Sequence, residues 1–99
     1  MDMEKAIETL KAVGIFAEPA KVFLGEDTPA EMEGSIVVYY NDPANETFYY
    51  YLDPQANGWK AASGTAAVTE RFVPDDELAE FAKAEQADYD EAVNANTNW

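Results

Sequence analysis

The chain contains no cysteine and no histidine, and Arg71 is its only arginine. Without cysteine there is no disulfide, no thiolate metal site and no thiol nucleophile. Without histidine the commonest general base near neutral pH is missing. Ser35 and Ser63, the two serines, therefore lack the imidazole that activates a hydrolase serine. The five glycines are scattered singly, so there is no glycine-rich phosphate loop. Residues 53–59, "DPQANGW", offer one acid where a calcium loop needs alternating oxygen ligands and a closing glutamate. Paired carboxylates exist, but with twenty Asp and Glu in the chain two neighbours arise by chance and carry no glycosidase signal. These absences predict a protein that is not an enzyme, with no catalytic residue, no cofactor and no metal.

Long apolar runs are also missing, which excludes a membrane-spanning helix by the length criterion. The opening stretch "MDMEKAIETLKAVG" is amphipathic rather than signal-like, so the "NET" sequon at 45–47 carries no weight. The lack of cysteine is compatible with a reducing compartment, and a cytoplasmic location is expected. Basic side chains are scarce: six face twenty acidic ones, for a net charge of −14. A nucleic-acid binder needs clustered Lys and Arg to displace counterions from phosphates, so no direct nucleic-acid partner is expected. Anionic membrane surfaces are repelled for the same reason. Any charged partner should be basic.

What is present fits one small domain over residues 1–99, with 94–99 fraying. Apolar residues make up 47% of the chain, but seventeen of them are alanines. Phe16, Phe23, Phe48, Phe72, Phe81, Trp59 and the branched aliphatics are expected to supply the packing. Over residues 2–13, Met3, Ala6, Ile7, Leu10 and Val13 recur at helical spacing, and Gly14 stands at the cap. The next twenty residues, broken by Pro19, Gly25, Pro29 and Gly34, hold at most a short strand at Val22–Leu24. Ser35–Tyr40 and Thr47–Leu52 read as strands joined by "NDPANE". Asn57-Gly58 signals a hairpin into Trp59–Ala62, and "TAAVTERFV" resumes extended structure after Gly64. Pro74 then opens a helix from about Asp75 to Val93, with acids in its first turn. The order predicts an α+β fold: an N-terminal helix, a three- to four-stranded antiparallel meander and a C-terminal helix, the helices packed on one sheet face.

Two surfaces stand out. Five of the six tyrosines fall between Ile36 and Pro54, on both faces of two strands. Alternation puts Phe48, Tyr50 and Leu52 with Ile36, Val38 and Tyr40 under the helices, leaving Tyr39, Tyr49 and Tyr51 as an outer patch. Such tyrosines either stiffen an exposed sheet by cross-strand pairing or form a binding platform, including one for a homodimer. On the last helix, Leu78, Phe81, Ala82, Tyr89, Ala92 and Val93 make the apolar stripe. Glu77, Glu80, Asp88 and Glu91 line one polar flank, a strip roughly 21 Å long at about 1.5 Å per residue. That strip is either a solvated face that keeps the protein soluble or a surface for a basic groove. Glu85 falls inside the apolar stripe, where a carboxylate needs water or a cation such as Arg71, or a partner that completes the surface.

Three function classes follow. The first is an acidic binding protein, an inhibitor that fills a basic site on a partner, such as a nucleic-acid enzyme, by mimicking phosphate charge. The second is an accessory or oligomerising module that uses the tyrosine face. The third is a protein of a salt-adapted proteome, whose acidity is unrelated to its task.

Overall fold

A computed structural model describes residues 1–40 and 48–97, with side chains described up to residue 92. The "NDPANE" connection, the sequon and Thr47 lie outside the described residues. Helix α1 spans Met3–Ala12, and its N-cap Asp2 accepts a hydrogen bond from the Lys5 amide at 2.8 Å. Gly14, at φ 80°, turns the chain back, and the Ile15 amide bonds the Leu10 carbonyl at 2.9 Å. Strand β1, Phe16–Pro19, follows at once. The short helix α2, Ala20–Leu24, comes next, followed by 3-10 turns at Gly25–Asp27 and Ala30–Met32. Strands β2 (Ile36–Tyr39), β3 (Tyr49–Gln55), β4 (Gly58–Ser63) and β5 (Arg71–Pro74) complete the sheet. A 3-10 turn at Asp75–Glu77 leads into α3, Leu78–Thr97.

The sheet is a five-stranded antiparallel meander in chain order, and α1 and α3 pack together on one face of it. This is the expected α+β architecture with one strand more. Val22–Leu24 is helix rather than strand, and the strand forms just upstream at Phe16–Pro19. Pro19 is tolerated because β1 is an edge strand. The last helix also runs to Thr97, past Val93 and through most of the segment expected to fray.

The β3–β4 hairpin is where the Asn-Gly signal pointed, with Gln55 paired to Gly58. Only Asn57 takes the left-handed conformation, at φ 62°. Gly58 serves by its missing side chain, because a Cβ there would lie 2.5 Å from the Val73 carbonyl oxygen and from the Phe72 ring. Strand β3 continues past Leu52 to Gln55 because Pro54 falls beyond the last residue paired with β2.

The core between sheet and long helices is built on Leu10, Ile36, Tyr50, Leu52, Trp59 and Leu78, all fully buried. Of the phenylalanines expected to pack, Phe81 joins this core and Phe23 packs on a second cluster, but the other three stay open. Phe16, Phe48 and Phe72 are 46%, 44% and 49% exposed. Phe16 and Phe72 are on the edge strands β1 and β5, and Phe48 flanks the start of β3. Trp59 packs in the core as expected, and Tyr50 adds a second large ring to it.

A candidate docking groove on the acidic flank of the last helix

Strand β5 alternates, so Val73 enters the core while Phe72 faces the opposite side of the sheet. Two residues before Val73, Arg71 therefore rises toward α3 at the rim of the core. Its guanidinium carbon stands 5.0 Å from the centre of the Phe81 ring, a cation–π contact. Between this edge of the sheet and the first turns of α3 runs an open groove of about 480 Å³. Thr69 and Arg71 form one wall, Phe81 and Ala84 line its apolar part, and Glu77, Glu80, Glu85 and Asp88 supply carboxylates.

Of the predicted acidic strip, Glu77, Glu80 and Asp88 thus meet in the groove, and Glu91 stands outside it on the same flank. All four are exposed. Glu80 is bonded to Lys83 at 3.0 Å, an exposed pair one turn along the helix that is worth little. Four carboxylates around one guanidinium leave the groove three negative charges in excess.

Glu85 is the part that spacing marked without resolving. It is half-buried, and its carboxylate accepts a hydrogen bond from the Tyr40 hydroxyl, not an ion pair from Arg71. Burial holds the Glu85 carboxyl above the usual range, and Asp88 adds to the effect. The Tyr40 bond and the more distant Arg71 charge offset part of it. Burial and the Glu85 charge push the Tyr40 hydroxyl up in turn, so it stays a donor. Tyr50 is pushed up by burial first, then by Tyr40 and Glu85. Phenols held this firmly protonated are donors, not bases.

An aromatic ladder underlies the groove. Tyr89 of α3 stacks on Tyr40 at 4.5 Å, Tyr40 meets Tyr50 at 5.5 Å, and Tyr50 points edge-on to Phe81 at 6.0 Å. The ladder ties α3 to the centre of the sheet and fixes the ring on which Arg71 rests. Composition alone gave no sign of it, because Tyr40 and Tyr50 belonged to the face assigned to the core and Tyr89 to the helix stripe.

The tyrosine face is different from the one expected. Tyr39 is only 5% exposed, and its hydroxyl donates to Glu18 Oε1 at 2.6 Å. Phe23 of α2 covers it at 5.8 Å and covers Tyr49 at 4.8 Å, with Leu24 and Met32 packed alongside. Tyr39 is therefore a residue of a second small core, not part of an open patch. Tyr49 and Tyr51 remain half-buried and touch edge-to-face at 5.5 Å. Burial, and then Tyr49, push the Tyr51 hydroxyl up to about 12.

Among the described residues, no group of three or more acidic side chains is arranged to hold a metal ion, and no helix is long and apolar enough to cross a membrane. No family model matches the chain, and no curated protein or solved structure does either.

Proposed function

We propose that this protein is a non-enzymatic acidic binding module that fills a basic, nucleic-acid-binding site on a partner protein by imitating phosphate charge. The supporting observation is that Glu80, Asp88 and Glu91 stand exposed on one flank of α3, with Glu77 exposed in the 3-10 turn that leads into it, while Leu78, Phe81 and Ala82 of the same helix are buried in the core. Carboxylates carried on a helix anchored in the core are spaced in advance for a basic surface, which lowers the cost of ordering them on binding. The partner is a basic protein such as a nucleic-acid enzyme. At about 0.15 M salt the reach of exposed charges falls to roughly 8 Å, so the complex weakens steeply with salt, chiefly in its on-rate.

The test is capture from source lysate by the immobilised chain at low and high salt, beside a variant carrying Glu77→Lys, Glu80→Lys, Asp88→Lys and Glu91→Lys. The expected result is a basic protein retained at low salt, released by salt or by added DNA, and lost from the variant. Retention of the same partner by the variant would refute phosphate mimicry. The second reading, an accessory or oligomerising module using the sheet face, keeps Tyr49 and Tyr51 with the exposed Phe16 beside their covered neighbour Tyr39. It is separated by Tyr49→Ser with Tyr51→Ser, which would then abolish a salt-insensitive association.

A further inference from the structure

We infer that the groove between β5 and α3 receives an arginine side chain of the partner, seated against the Phe81 ring that Arg71 now covers. This rests on the acidic-module reading and names what the partner inserts.

The groove's volume of about 480 Å³ lies within the usual ligand-pocket range of about 300–1,000 Å³, which suits an extended side chain with its neighbours. Its floor is built for a planar cation. Phe81 is only 7% exposed and is met edge-on by Tyr50, so the ring does not turn away, and a guanidinium already lies 5.0 Å from its centre. That guanidinium does not satisfy the walls. Among the described residues Arg71 makes no ion pair, the Glu80 pair is with Lys83, and Glu77, Glu85 and Asp88 have none. Behind the Glu85 wall, Tyr50 Oη is buried without a hydrogen-bond partner. Among the described residues, Tyr40 is the one side-chain donor to the half-buried carboxylate. A second cation is the missing complement.

Charge decides the occupant. A second copy of the chain would bring another −14 to a face that is already negative, so the visitor is a basic partner. Arginine suits the site better than lysine, because its flat guanidinium stacks on an aromatic ring and presents a fork of donors to carboxylates. Arg71 is then an internal occupant that the partner's arginine displaces or stacks beside.

The test is an NMR titration of the folded chain with an alternating glycine–arginine peptide and with its glycine–lysine counterpart, at low salt. It is repeated in Arg71→Ala and in Lys21→Ala, which removes one positive charge from α2 on the other sheet face. The expected result is that the arginine peptide binds more tightly than the lysine peptide and shifts the Phe81 ring and Glu85 carboxyl signals. Arg71→Ala should tighten arginine-peptide binding roughly two- to five-fold beyond Lys21→Ala, the size of an exposed cation–π contact. Equal gains from the two variants, equal affinity for the two peptides, or shifts confined to the outer flank with Phe81 silent, would overturn the groove while leaving the acidic-module reading standing. Binding of neither peptide at low salt would overturn both.

Discussion

Replacing Tyr40 by phenylalanine removes one oxygen, and its effect should depend on pH. The lost group is the donor to Glu85, the carboxylate that sits half-buried in the apolar stripe of α3. A hydrogen bond to a charged group contributes about 1.5–3 kcal/mol when buried. Glu85 is half-exposed, so water replaces part of the bond, and about 1–2 kcal/mol is the reasonable expectation at pH 7. For a domain of this size each kcal/mol lowers the melting temperature by about 4–8 °C. The pH arm follows from the sign of the shift. Glu85 has its carboxyl raised above its ordinary 4.5 in the folded state. Its titration therefore contributes stability that is fully present below 4.5 and is lost as pH rises through the raised value. Tyr40 opposes that loss by favouring the ionised form, so Tyr40→Phe should hurt most at neutral pH and progressively less in acid. Glu85→Gln keeps an acceptor for Tyr40 and removes the charge. It should match the wild type at low pH and be the more stable at pH 7. In that background the cost of Tyr40→Phe should fall to about 0.5–1.5 kcal/mol, the range of a neutral bond. Urea and thermal unfolding of the four proteins at pH 4 and pH 7 complete the cycle. A cost of Tyr40→Phe that is the same at pH 4 and pH 7 while Glu85 is present would show that the Glu85 carboxylate is not the partner of this hydroxyl.

Two substitutions at ring positions and one at the hairpin test the packing. Phe81→Ala should destabilise by about 3–5 kcal/mol because the ring is buried between Tyr50 and Arg71, whereas Phe72→Ala, half-exposed on the edge strand, should lose under about 1.5 kcal/mol in chemical denaturation. A Phe72 variant as damaging as the Phe81 one would mean that β5 presents its other face to the core. Gly58→Ala should destabilise by about 1–3 kcal/mol, since the new Cβ falls 2.5 Å from the Val73 carbonyl oxygen and β4 must move from β5. Unchanged melting with an unchanged amide spectrum along β5 would show that the two strands are not so closely apposed.

The long elements were legible because single signals sufficed for each. Helical spacing of Met3, Ala6, Ile7 and Leu10 marked α1, and tyrosine-rich alternation marked β2 and β3. What escaped was decided by contacts distant in sequence. Residues 20–24, "AKVFL", are rich in strand-forming side chains, yet they coil into α2 so that Phe23 covers Tyr39 and Tyr49. Local propensity is a weak prior over five residues, and burying two tyrosine rings outweighs it. "FAEP" looked like loop because it is short and ends in proline, but an edge strand needs partners on one side only, and β2 supplies them.

The candidate site divides the same way. Helix periodicity alone put Glu77, Glu80, Asp88 and Glu91 on one flank, since a helix residue's direction is set within its own element. The opposite wall, Thr69 and Arg71, comes from the start of β5 and the segment just before it, and no spacing rule joins it to the helix. The trace it left in the sequence was a conflict. Glu85 occupied a position where the stripe called for an apolar side chain, and a half-buried carboxylate persists there only with compensation. The expected compensation was water, a cation such as Arg71, or a partner. In the fold Tyr40 donates the bond, and Arg71 rests on the Phe81 ring with no ion pair among the described residues, although its charge still favours the ionised form of Glu85. That change bears on the proposed function. An Arg71–Glu85 pair would hold the arginine against the helix, whereas the Tyr40 donor leaves Arg71 on the Phe81 ring, and on the reading proposed above that ring and its neighbouring carboxylates are what a partner's cation meets.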